Sequence, residues 1–254
     1  MIPHEVRELA ETPDRYTATT PGFTERIERG RFVIMQAPHW ASVSGVETDD
    51  VEATVAETRE LTAGRSKIWW LGPSTRPADL EERLRAMGFR DPPDRAVDLV
   101  AMATVVPPDA PEGVDVRRVE TLEEYIEASE LRWEAFGAPE QRREEERAGF
   151  ENAYRRTKEA GAVVYYVAYL DGRPAATGSC VVSPRGLLLF GGATAEWARG
   201  RGLYRALVRA RWDEAVARGT PALVVEADPR TSEPILRSLG FVEVCRLRRL
   251  EDPG

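Results

Sequence analysis

The stretch EWARGRGLYRALVRARWDEAVARG, residues 196–219, sets two glycines and three arginines between Arg199 and Arg205. Directly after them, Leu203, Ala206, Leu207 and Ala210 recur at the spacing of an amphipathic helix. Upstream, GLLLFGGATA has the apolar density of a strand. A glycine-rich turn between a strand and a helix lets backbone approach a ligand closely. The free N–H groups and the dipole of the helix start then favour an anion. Arg199 and Arg201 add positive charge. The same residues also fit a solvated basic turn, so the local sequence leaves a phosphate cradle and a plain turn both open.

Working outward, AVVYYVAYLDG, RPAATGSCVVSP and GLLLFGGATAEW are strand-like runs separated by Asp171-Gly172 and Pro184-Arg185-Gly186, residues that favour tight turns. Before them, VDVRRV reads as a short strand, and LEEYIEASELRWEAFG and REEERAGFENAYRRTKEAG read as helices closed by glycine. Beyond Gly219 come strand-like ALVVEA, the helix SEPILRSLG with Ser232 as its expected N-cap, and a final strand. The order is strand, two helices, three strands, helix, strand, helix, strand. It predicts a mixed α/β sheet.

An echo appears earlier in the chain. LRAMGF at 84–89 matches LRSLGF at 236–241, and each follows the same succession of helix, strand and helix. In the earlier copy these are a helical pattern from Asp50 to Gly64, the strand-like KIWWL and the helix RPADLEERLRAMG. The proline-rich VVPPDAPEG, 105–113, resists both helix and central strand and reads as a linker. The expected organisation is two tandem mixed-sheet domains, 1–108 and 109–254. GVETDDVEATVAE stands where the earlier copy would need a glycine-rich loop and is acidic, so only the later copy is expected to hold a cofactor.

Composition narrows the function. No apolar run nears the ~18 residues that cross a bilayer, and the amino-terminal MIPHEVRELAETPDRY lacks the regions of a secretion signal, giving a cytoplasmic expectation. A net charge of −8 disfavours nucleic acid as a partner. His4 and His39 are the only histidines and have no spaced partner, so no metal is expected. Cys180 and Cys245 sit in apolar alternating segments and read as reduced core thiols.

Arg199-Gly200-Arg201-Gly202-Leu203-Tyr204 resembles the pyrophosphate-binding motif of the GNAT superfamily of acetyl-CoA-dependent N-acetyltransferases, Gln/Arg-x-x-Gly-x-Gly/Ala, with tyrosine where the family has a small residue. The resemblance extends in element order from about Val114 to Leu250, and the earlier copy resembles a degenerate version. It implies acetyl-CoA as co-substrate, with its pyrophosphate on the amides of residues 199–204. It also implies that the pantetheine arm lies beside the strand at Gly192, Ala193 and Thr194. Gly191-Gly192 fits a bulge or a close approach of ligand, and equally a weakened edge strand.

Acetylation of an amine requires a base for an ammonium of pKa near ~10, a donor to the developing oxyanion and a proton for the departing thiolate. Glu226 and Asp228 fall on one face of the strand by alternation, and Glu196 ends the neighbouring strand; these are the candidate catalytic carboxylates, or else solvated strand ends. The family's acid, a tyrosine four residues before the glycine of Gly-Phe, is Leu236 here, and its frequent asparagine is Pro229. The resemblance therefore implies transfer of an acetyl group to a small-molecule amine, with a non-catalytic acyl-CoA sensor as the alternative. A homodimer is compatible with either.

Overall fold

Apolar alternation in the strands and glycine at the helix ends organise a computed structural model that describes residues 1–93, 96–109 and 111–254. In chain order the elements are α1 (His4–Glu11), α2 (Pro13–Tyr16), β1 (Glu25–Arg29), β2 (Phe32–Gln36), β3 (Trp40–Ser44), α3 (Val51–Leu61), β4 (Ser66–Leu71), α4 (Leu80–Ala86) and β5 (Asp98–Thr104). They continue with β6 (Asp115–Arg118), α5 (Leu122–Phe136), α6 (Glu140–Ala148), α7 (Phe150–Ala160), β7 (Val163–Leu170), β8 (Arg173–Ser183) and β9 (Gly186–Thr194). A single 3-10 turn (Glu196–Ala198) leads to α8 (Leu203–Ala217), β10 (Leu223–Ala227), α9 (Ser232–Ser238) and β11 (Val242–Asp252).

Packing divides the chain into two compact units: Met1–Ala103 with Glu226–Gly254, and Thr104–Val225. The first division falls beside the proline-rich 105–113 stretch, of which Ala110 lies outside the described residues. The chain re-enters the first unit at Glu226.

In the first unit the strands run β1-β2-β3-β4-β11-β5. Pairings β1–β2 and β2–β3 are antiparallel, β3–β4 is parallel, and β11 lies antiparallel to both β4 and β5. Its core gathers Phe32, Ile34, Val43, Val55, Trp69 and Leu84, with Phe89 meeting Trp69 edge to face at 5.4 Å. That edge-on geometry is the favoured one for aromatic pairs. Trp69 is fully buried, whereas the next residue on the strand, Trp70, is half-buried beneath the Arg249 guanidinium at 5.2 Å.

In the second unit the order is β10-β9-β8-β7-β6, with β9–β10 parallel and the other pairs antiparallel. Asp171 and Gly172, both at positive φ (52° and 75°), make the two-residue hairpin turn between β7 and β8. α5 begins with a reciprocal Thr121–Glu124 capping box and ends at left-handed Gly137. The pairing sequence β7–β8 antiparallel, β8–β9 antiparallel, β9–β10 parallel repeats that of β1 through β4.

Two expectations are corrected locally. The charged segment read as one helix is broken at Gly149 into α6 and α7. Ser232 does not cap α9 from outside but is its first residue, its hydroxyl accepting from the Asp228 N–H at 2.9 Å.

Candidate active site

The second unit presents the start of α8 as an open cradle. Gly200 and Gly202 adopt φ of +76° and +79°, a region that L side chains rarely enter, and Gly202 forms the N-cap without a side chain to close the helix. The first intrahelical bond runs from the Ala206 N–H to the Gly202 carbonyl. Among the described residues, the N–H groups of 200–205 have no hydrogen-bond partner. A run of unsatisfied donors at a helix start is an anion site in waiting. Arg199 and Arg201 are exposed beside it, while Leu203 is buried and anchors the helix. Pro111 covers the other side of Gly202, and a Cβ added there would stand 2.7 Å from its ring.

Before the turn, β9 bulges. β8–β9 register passes from Ser179↔Phe190 to Thr177↔Ala193, so Gly191 and Gly192 together oppose Gly178. Gly191 is at φ +61°, and a Cβ on Gly192 would lie 2.8 Å from the Tyr204 ring. Ala193 and Thr194 resume pairing with β8. Both sequence-predicted groups, 192–194 and 199–204, thus lie in the second unit on the two sides of one short turn. Glu196 sits on that turn with its side chain exposed.

The first unit contains the other carboxylates. Glu226 is half-buried on β10, immediately after Val225. Burial pushes its carboxyl up to about 8; the charge of Asp14 pushes the same way and that of Arg249 opposes. No hydrogen bond reaches its carboxylate among the described residues. Asp14, from α2, accepts from the Ser42 hydroxyl at 2.5 Å and the Ser44 hydroxyl at 2.9 Å. Its own carboxyl is also raised by burial, against the two serine bonds and Arg26. Sequence inspection offered no signal for Asp14, which lies more than 200 residues from Glu226 in the chain.

Asp228 lies beyond the strand end, not on the Glu226 face of a continuing strand. Its carboxylate takes the Arg230 N–H at 2.7 Å and pairs with the Arg230 guanidinium, which holds it below the usual range. Its carbonyl receives the N–H groups of Thr231, Ser232 and Glu233. The residue is occupied in building the turn into α9.

Two tyrosines of β7 are engaged by carboxylates. Tyr166 donates its hydroxyl to Glu214 at 2.8 Å and Tyr169 to Glu127 at 2.5 Å, and burial raises both. Leu236 is fully buried. Cys180 is a buried thiol pushed up by burial to about 12, a poor nucleophile.

Comparison of the sequence with known families matches residues 109–224 to the acetyltransferase (GNAT) domain. Residues 109–224 form a GNAT domain. The acyltransferase likeness in sequence rests on this segment, which spans less than half of the chain.

Solved structures share the fold across nearly the whole chain. A GCN5-related N-acetyltransferase from Kribbella flavida is 17% identical, with a TM-score of 0.67 over 98% of this chain and 95% of that one. A tandem GNAT protein from the clavulanic acid biosynthesis pathway is 14% identical (TM-score 0.60; 98% and 93% covered). A GCN5-related N-acetyltransferase from Sphaerobacter thermophilus is 18% identical (TM-score 0.58; 99% and 96% covered). No curated protein matches the sequence. No helix among the described residues is long and apolar enough to cross a membrane.

Proposed function

We propose that this GNAT protein transfers an acetyl group from acetyl-CoA to the amine of a small cytoplasmic molecule. The observation carrying the reading is the uncapped start of α8, with its run of free N–H groups between positive-φ glycines. These donors, with Arg199 and Arg201, suit a pyrophosphate. The bulged glycines and the backbone of Gly192–Thr194 suit the amide-bearing pantetheine arm.

Acetyl-CoA supplies the activated acyl group. Glu226 is the proposed base. With a carboxyl near 8 it accepts a proton from an ammonium far better than an ordinary carboxylate does, directly or through water. Asp14, raising that value, is a supporting group. The backbone N–H groups of the Gly191–Gly192 bulge are the proposed donors to the negative charge developing on the carbonyl oxygen. The departing thiolate, with a pKa near ~8.5, takes its proton from water, because Leu236 has none to give. The repeated pairing order of β1–β4 and β7–β10 supports a tandem arrangement whose earlier copy holds no CoA.

Calorimetric titration with acetyl-CoA and CoA, combined with thiol release across a panel of amines, tests the proposal. Binding with amine-dependent release is expected. The buried Leu236 favours a second reading, an acyl-CoA sensor, which predicts binding with no release on any amine.

A further inference from the structure

The inner face of α8 is apolar at Leu203, Ala206, Leu207, Val208, Trp212 and Ala215, with one exception. Arg211 is 1% exposed. Its Nε donates to the Leu207 carbonyl at 3.0 Å and its Nη1 to the Ser179 carbonyl at 3.2 Å, while Nη2 has no partner. Among the described residues no carboxylate pairs with it. A buried, unpaired guanidinium with an idle donor is costly, and a leucine or methionine would fill the same place without that cost.

Its location is specific. A Cβ on Gly178 would stand 3.0 Å from the guanidinium carbon, just as one on Gly192 would strike the Tyr204 ring. Gly192 is in the β9 bulge, and Gly178 is the β8 residue opposite it. The space of both missing side chains is therefore filled from α8, by residues seven apart and on one face. The guanidinium lies 6.0 Å from the Tyr204 ring centre.

We propose that Arg211 is a positioning residue for acyl transfer, holding Ser179 and the bulge in the one register that offers backbone donors to the thioester carbonyl oxygen. The proposal rests on the acyl-CoA reading given above. It makes the bulge and the pyrophosphate turn two features of one rigid piece, since α8 carries both the brace and the cradle.

The test compares affinity for acetyl-CoA with that for S-ethyl-CoA, a thioether that keeps every contact except the carbonyl. The protein is expected to prefer acetyl-CoA by about tenfold, the effect of one hydrogen bond. Arg211→Met and Gly178→Ala each bring that ratio to about one. The first removes the brace and the second displaces it with a methyl group, and each leaves S-ethyl-CoA affinity within about threefold, because the cradle stays intact. The double variant shows no further change.

A preserved ratio in both variants overturns the proposal, as does an equal loss of both ligands, which marks a general structural role. A protein without preference at the outset overturns it too. Failure of the unaltered protein to bind either ligand brings down the acyl-CoA reading itself, a distinct result. Gly178→Ala, which adds one methyl group to a strand, serves where Arg211→Met fails to fold.

Discussion

The chain makes the same strand-to-helix passage twice and finishes it in opposite ways. Where β3 leads to α3, Asp50 caps the helix by accepting from the Ala53 N–H at 2.9 Å, and Thr48 and Thr54 hydroxyls bond across the turn. Where β9 leads to α8, the cap is a glycine at positive φ and the donors stay free. A carboxylate supplied by the chain occupies the first helix start. The second keeps its donors free, and in the proposed function a pyrophosphate would take them, so the two turns would differ by the provenance of one negative charge.

The comparison breaks most sharply at Gly202. Gly202→Val imposes a β-branched side chain at φ +79° and against Pro111, and is expected to weaken acetyl-CoA binding by at least about 100-fold. Calorimetry reads the loss, and circular dichroism confirms that the fold persists. Unchanged affinity would make the second turn as closed as the first.

Glu226→Gln sharpens the contrast by sparing the cradle. Turnover is expected to fall by about 100-fold, with acetyl-CoA affinity held. In the unaltered protein the rate rises with pH as Glu226 loses its proton near about 8, and the variant lacks that limb. Stability moves the other way. A carboxyl raised in the folded state binds protons that the unfolded chain has released, so stability falls as pH climbs from the ordinary carboxylate range through about 8. Thermal melts at pH 9 should therefore favour Glu226→Gln.

At the first turn, Asp50→Ala removes a cap that contributes about 1 kcal/mol. Urea unfolding is expected to show that loss with no change in acetyl-CoA affinity, since nothing but the chain itself uses this helix start. Smallest is Arg199→Ala. The exposed guanidinium adds field and not fit, so affinity should drop by only about threefold, and less at high salt.

Much of the second unit was legible because its signals are local. Asp171-Gly172, the Thr121–Glu124 pairing and the glycine that ends α5 each act within a few residues. The glycine turn ahead of α8 was readable for the same reason. Long-range features left no trace: Asp14 reaches the Glu226 neighbourhood only through folding, and β11 gives no sign in its sequence that it inserts between β4 and β5. Arg211 was hidden differently. In a chain whose positive charge is nearly all arginine, one more arginine in a helix reads as surface, and only the Gly178 gap reveals what it fills. Gly149, in a segment of uniformly charged helical spacing, gave too weak a punctuation to predict the break between α6 and α7.

The placement of β11 carries a consequence for the living molecule. During synthesis β4 and β5 emerge long before the strand that must join them, so the first unit waits with two open sheet edges until residues 242–252 arrive. A chain cut before Val242 keeps every other strand of the first unit yet lacks the one between β4 and β5.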